Sequence, residues 1–347
     1  MVDITIPGQV VHIPNSCGLT GCHELDPDQQ EGVKTHRTVL RSSSHEDLLC
    51  IPGVCLGFRP AESCVVIGIS GSEVAFCARC DLSWLEAQGA ASLAERILTA
   101  ASEVGNPTYV VIGYTQDPAS AHRLLTTLSL ALGENVIEVL LATAERYWRV
   151  TPGGIEPPEG HPWREQETNL AATAVYHGIQ IASDREQVVS EVRPGDDQEE
   201  NEYLISSAAG YLTGLTEQER ITFLDHLLRE EAELLPLEAA QLAVLVGGPS
   251  SAGQVVSELS PQSSGRIRRH LAAARRSCTR VEAPGVLAVL ALACWFDNRA
   301  AQHTDCVMQL EALDPEHRLL PLLRALHHLA VRPPRSGMGP PNASIHH

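Results

Sequence analysis

The sequence predicts an α/β protein in two parts: a mixed-sheet N-terminal α/β domain followed by an all-helical C-terminal domain. Three observations predict it. Short β-rich runs alternate with helix-period segments over residues 38–150. A stretch rich in proline and glycine, 151–167, then interrupts the pattern as a linker would. From 168 to 333 strand signals fade, and one helical segment follows another. Residues 1–37 show little periodicity and read as an N-terminal arm; 334–347 have the composition of a disordered tail.

The elements follow in order. Serines at 43 and 44 ahead of Glu46 have helix-capping spacing and start a short helix, which Ile51-Pro52-Gly53 is expected to interrupt. Ser63–Ile69 and Glu73–Leu82 flank Ser70-Gly71-Ser72 and read as a hairpin. A helix capped by Ser83 carries Leu85, Leu93, Ile97 and Leu98 on its apolar face. Thr108–Tyr114 is a buried-type strand, and Asp117-Pro118 places a capping residue before a first-turn proline for a helix to about Leu132. Asn135–Thr143 and Arg146–Thr151 complete the sheet. Nine helical segments follow, among them one opened by the Thr216/Glu219 capping box and one opened by Asp314-Pro315. The segments around Trp295 and Leu313 resemble a single tetratricopeptide-like hairpin without a second copy at the required period.

Composition excludes several chemistries. Among 347 residues there are 24 arginines and one lysine, Lys34, against 43 acidic residues, for a formal charge of −18. Lysine-dependent Schiff-base enzymes, P-loop ATPases and protein kinases need a lysine inside a folded site, and Lys34 lies in the arm. An acidic chain disfavours general nucleic-acid coating and anionic membranes. Residues 1–11 lack a basic start and an apolar core, so no signal peptide is expected. Val286–Phe296, the longest apolar run, is about half the ~20 residues of a membrane span. Ten cysteines without a secretory signal suit free thiols in a reducing, cytoplasmic setting.

A set of motifs in chain order resembles the actinobacterial domain-of-unknown-function family 4192. Asp47-Leu48-Leu49 leads through Ile51-Pro52 to Leu56-Gly57-Phe58-Arg59-Pro60 and Glu62-Ser63-Cys64-Val65-Val66. Arg79-Cys80-Asp81-Leu82 follows, then Arg146-Tyr147-Trp148 with Pro157-Pro158-Glu159-Gly160. Gly178 with Ser183-Asp184-Arg185, then Trp295, Leu313-Asp314-Pro315 and His317-Arg318-Leu319, close the set. The matches run from about Thr38 to Pro334, with a poor stretch over 230–264. The resemblance implies an architecture and an actinobacterial or actinophage origin, which the arginine bias of GC-rich genomes also suits; it implies no activity.

Candidate chemistry is sparse. Cys77-x-x-Cys80 has metal-ligand spacing, but positions three apart on a strand face opposite ways, so buried thiols are preferred. Cys17, Cys22 and His23 of the arm are the remaining weak metal candidates, and no cofactor is expected. Gly248 and Gly253 imitate a phosphate loop, yet Gln254 and Val255 stand where lysine and a hydroxyl are required, so a helix–helix turn is expected. Gly68–Ser72 lacks the second glycine of a nucleophile elbow.

Two constellations remain. The carboxyl edge of the sheet is expected to bring Tyr114 and Asp117 near Arg79, Asp81 and Arg146, able to bind a small polar or anionic ligand; the competing reading makes Asp117 a helix cap and Arg79–Asp81 a structural ion pair. Arg268 with Arg275 and Arg269 with Arg276 line one helical stripe, also flanked by Arg266 and Arg280. Residues 151–240 hold 19 acidic residues against five arginines, so the stripe is expected to pair within the chain or between subunits in preference to nucleic acid. The preferred reading is an accessory protein that binds a protein partner, itself or a small molecule. The alternatives are an enzyme with its site at the sheet edge and a nucleic-acid-associated protein using the arginine helix.

Overall fold

The computed structural model describes residues 2–5, 10–12, 39–102, 104–105, 107–248, 251–260 and 262–328. The chain divides into two units, Met1–Arg185 and Glu186–His347.

The first unit is a mixed sheet covered by helices. Its elements are β1 (Val2–Thr5), β2 (Val10–His12), β3 (Val39–Arg41), α1 (His45–Leu56), β4 (Ser63–Ser70), β5 (Glu73–Asp81), α2 (Leu82–Gln88) and α3 (Ala90–Ser102). Then come β6 (Thr108–Tyr114), α4 (Pro118–Leu132), β7 (Val136–Ala142), β8 (Arg146–Thr151), β9 (Gly154–Pro162) and α5 (Asn169–Tyr176). Strand order is β3-β2-β5-β4-β6-β7-β8-β9, with β1 also on β5. The six strands β4–β9 carry the sheet. Within them only β6 and β7 run parallel, because α4 crosses between them as a βαβ connection must.

Central strands read as continuous apolar runs because both faces are covered. On one face Val66, Val111 and Leu141 pack with Leu85, Leu93 and Ile97 of α2–α3 and Leu125 and Leu128 of α4. Alternate residues Val65, Ile67 and Ile112 are equally buried. The cysteine spacing behaves as its strand geometry requires: Cys80 opposes Cys64 across β4–β5, while Cys77 meets Cys55 of α1.

Helix α1 begins at Ser44, whose hydroxyl accepts the Asp47 N–H. Contrary to expectation it runs through Pro52 without a break. A mid-helix proline sacrifices one backbone hydrogen bond, and here the ring is buried with its neighbours Ile51 and Gly53. Gly57, at φ 79°, ends the helix with its N–H on the Gly53 carbonyl, a left-handed conformation that suits glycine. The buried Asp47 carboxylate accepts from the Ser43 N–H and hydroxyl and from the Leu170 N–H, tying α1 to the start of α5. Near the same end, Glu138 of β7 is held by both His45 and Arg149.

Further differences from expectation concern boundaries. The stretch 151–167, read as a linker, supplies β9, which pairs antiparallel with β8 around Thr151–Gly154. Proline and glycine suit a sheet's last strand as well as a linker, so composition does not separate them. The division of the chain falls at 185/186 instead. The arm contributes β1 and β2 to the sheet; Cys17, Cys22 and His23 lie outside the described residues. The helix after β5 is two helices broken at Gly89, and its cap position is Asp81, ahead of Ser83.

The second unit is helical: α6 (Arg185–Ser190), α7 (Gln198–Thr213), α8 (Glu217–Arg229), α9 (Pro236–Gly247), α10 (Ser251–Glu258), α11 (Ser264–Ser277), α12 (Ala283–Phe296), α13 (Ala300–Leu313) and α14 (Leu320–His328). The Thr216/Glu219 box forms both of its reciprocal bonds at α8. The apolar run expected near 286–296 is α12, buried on all sides in the unit's core. Gly247 and Gly285 let α9 and α12 touch: a Cβ on Gly285 would stand 2.9 Å from the Val246 carbonyl oxygen. Helix α10 occupies part of the segment read as a turn, and α14 starts at Leu320, later than Asp314-Pro315 suggests. No helix among the described residues is long and apolar enough to cross a membrane.

Candidate functional site

The carboxyl ends of β6 and β7 open into a cavity of about 280 Å³ within the first unit. Parallel strands favour ligands at this end, where successive loops diverge. Four segments distant in sequence wall it: Leu49, Cys50 and Gly53 from α1, residues 59–62, residues 114–116 with 142–144, and residues 163–166.

Each wall is fixed by identifiable bonds. The Tyr114 hydroxyl donates to the Leu49 carbonyl at 2.7 Å, and the Thr115 N–H to the Ala142 carbonyl at 3.0 Å, so strand ends and helix wall are locked together. Gly57 and Arg59 bracket Ala182 through a pair of backbone bonds, which holds the 59–62 segment in place. Arg59 then pairs through Nε with Glu165. The Trp163 indole N–H donates to the Thr143 carbonyl at 3.0 Å.

Glu62 is an exposed residue on the cavity wall with an unusual backbone. Its backbone sits at φ 43°, a left-handed conformation that costs a non-glycine residue roughly 1–3 kcal/mol. Its carboxylate accepts the Thr115 hydroxyl at 3.0 Å and the Gln116 N–H at 2.8 Å. Thr115 Oγ1 in turn accepts the Asp117 N–H at 3.0 Å, so the β6–α4 turn orients the carboxylate as a unit. The lining therefore offers one guanidinium and two carboxylates, the former already paired with Glu165. Burial pushes the Cys50 thiol up to about 12, against a hydrogen bond with Thr168 that lowers it, which disfavours its thiolate.

Of the five edge residues expected from sequence, Tyr114 alone lines the cavity. Asp117 caps α4 by accepting the Ser120 N–H. Arg79 is buried between Ser63 and Asp81, with its Nη2 2.6 Å from the Asp81 carboxylate. Arg146 donates to the Glu159 and Gly160 carbonyls of β9. These four therefore have partners within the chain, away from the cavity lining. Sequence reasoning missed Arg59, Glu62, Trp163 and Glu165 as a group. A signal existed for two of them, since Arg59 and Glu62 lie in the opening motif of the family resemblance.

The arginines of α11 pair within the chain. Arg268 and Arg275 are buried, and so cannot present a surface to a partner. Arg268 reaches Asp297 at 2.8 Å, Glu191 at 3.2 Å and Gln302 at 3.2 Å; Arg275 reaches Gln309. Arg276 donates to the Glu191 carbonyl, Arg266 pairs with Glu231 at 2.6 Å, and Arg269 is exposed. Within the acidic stretch 151–240, Glu191 and Glu231 receive arginines of this helix, while Asp197 caps α7. Among the described residues no group of three or more potential ligands could hold a metal ion.

Fold and site together define a two-unit protein with an α/β sheet and a helical bundle, carrying a small cavity at the parallel pair β6–β7. The chain belongs to the family described as domain of unknown function (DUF4192), whose model matches residues 46–334. No curated protein and no solved structure matches the chain.

Proposed function

We propose that the protein is a binding module for a small polar molecule, seated at the carboxyl end of β6 and β7. The observation that carries this reading is Glu62: a carboxylate on a left-handed backbone, oriented by two donors, on the wall of a cavity. Strained backbone of this kind clusters at ligand clamps, which supports the reading. The cavity's size is near the lower end of the roughly 300–1,000 Å³ usual for small-molecule sites. Burial raises its one thiol to about 12, which supports binding over covalent chemistry. The described cysteines are free and buried, which supports work in a reducing, cytoplasmic compartment. The arginine bias supports an actinobacterial or actinophage source.

Thermal-shift screening against a metabolite library tests the reading, with Ala144→Trp as the blocked control, since Ala144 lines the cavity from an exposed position. A stabilising metabolite should lose its effect in Ala144→Trp. A library without hits, or hits that stabilise the blocked variant equally, overturns the proposal.

A further inference from the structure

The cavity's charge and ring content specify what it would hold. Three charged side chains line it, and Arg59 is already engaged by Glu165. Glu62 has two hydrogen-bond donors and no cation among the described residues. An ionised carboxylate has about four acceptor positions, so two donors leave room for about two more.

Features that would attract an anion are absent or occupied. The amino end of α4 lies beside Gln116, but Asp117 fills it with this chain's own carboxylate. The wall from α1, Leu49, Cys50 and Gly53, comes from the middle of that helix and presents no free helix N-terminus to an anion. Trp163 and Tyr114 complete the lining with their polar atoms spent on the Thr143 and Leu49 carbonyls; Tyr114 is buried and Trp163 partly exposed, so the indole supplies most of the aromatic surface left for a ligand. Electron-rich ring faces and a carboxylate together suit a cation on an apolar body.

Resting on the binding-module reading above, we propose that the cavity takes a small organic cation, a primary amine or amidine on an apolar or aromatic body, with Glu62 as its counter-ion. The ligand's N–H groups would donate to the Glu62 carboxylate while its body lies against Trp163 and Tyr114. This replaces the expected small anion with a ligand of opposite charge.

The test is calorimetric titration of the full chain with benzamidine, benzylamine and benzoate, which share a ring and differ in charge. Benzamidine or benzylamine should bind, benzoate should not, and the cation's affinity should fall with added salt. Glu62→Gln keeps the shape and one acceptor, and should weaken the cation by about tenfold or more, the effect of losing one charge-assisted contact. Its melting temperature must be measured alongside, and Ala144→Trp should abolish binding. Benzoate binding that Ala144→Trp blocks would refute the cation while leaving a binding module. So would cation binding indifferent to Glu62→Gln. No binding by any probe at millimolar concentration overturns the cation proposal, and probes that bind equally to Ala144→Trp overturn both.

Discussion

Arg268 and Arg269 are neighbours on α11, yet replacing each with alanine should have opposite consequences. Arg268→Ala removes a guanidinium whose side chain is only 9% exposed, together with contacts to Asp297, Glu191 and Gln302. Breaking a buried ion pair from one side costs about 3–5 kcal/mol. The low end applies here, because each carboxylate keeps a second partner. Arg299 lies 3.5 Å from Asp297, and the Gln302 amide donates to Glu191 at 2.8 Å. Glu191 is also half exposed and rehydrates. The Gln302 side-chain oxygen, in a residue almost wholly buried, loses its strongest donor. A loss of about 3 kcal/mol lowers the transition of a domain of this size by roughly 6–12 °C. Arg269 is exposed, and Arg269→Ala should stay within about 0.5 kcal/mol of wild type. Scanning calorimetry reads both. The reasoning fails if Arg268→Ala melts within about 2 °C of wild type, or if the two variants fall together.

Two further predictions follow from buried polar groups. Asp47→Ala deletes an acceptor shared by Ser43 and the Leu170 N–H, and should cost about 3 kcal/mol, seen as a lower urea midpoint at unchanged slope; an unchanged midpoint would show that α1 is not anchored there. Burial holds the His270 imidazole below its ordinary range, while its Nε2 donates to the Ala232 carbonyl. The unfolded chain therefore takes up that proton first as pH falls through about 6.5, and stability present above this value drains away toward the lower folded value. His317 is lowered for the same reason and adds to the effect. The urea midpoint should drop between about pH 7.5 and 5.5, with a smaller drop in His270→Gln; an equal drop would locate the sensitivity elsewhere.

What the chain's chemistry reveals locally is what proved readable. Short apolar, β-rich runs marked β4 to β8, and Asp117-Pro118 and Thr216/Glu219 marked helix starts that the structure realises with the anticipated bonds. Each of those signals is complete within about a dozen residues. The cavity is not, because its walls come from segments over a hundred residues apart, joined only by sheet topology. The left-handed backbone of Glu62 leaves no mark in residue type, since glutamate rarely adopts it. Arginine spacing on α11 was legible and its burial was not, because Glu191, Asp297 and Gln302 arrive from other segments.

Strand β9 has one more consequence. It is the last strand of the sheet, and an end strand ordinarily exposes a row of donors and acceptors that a foreign strand can extend. Pro157, Pro158 and Pro162 have no N–H to offer, so that row is incomplete by covalent structure and needs no covering helix. Growth of the sheet into a neighbouring molecule is thereby discouraged at this border. The prolines that made the segment look like a hinge serve as a selvedge.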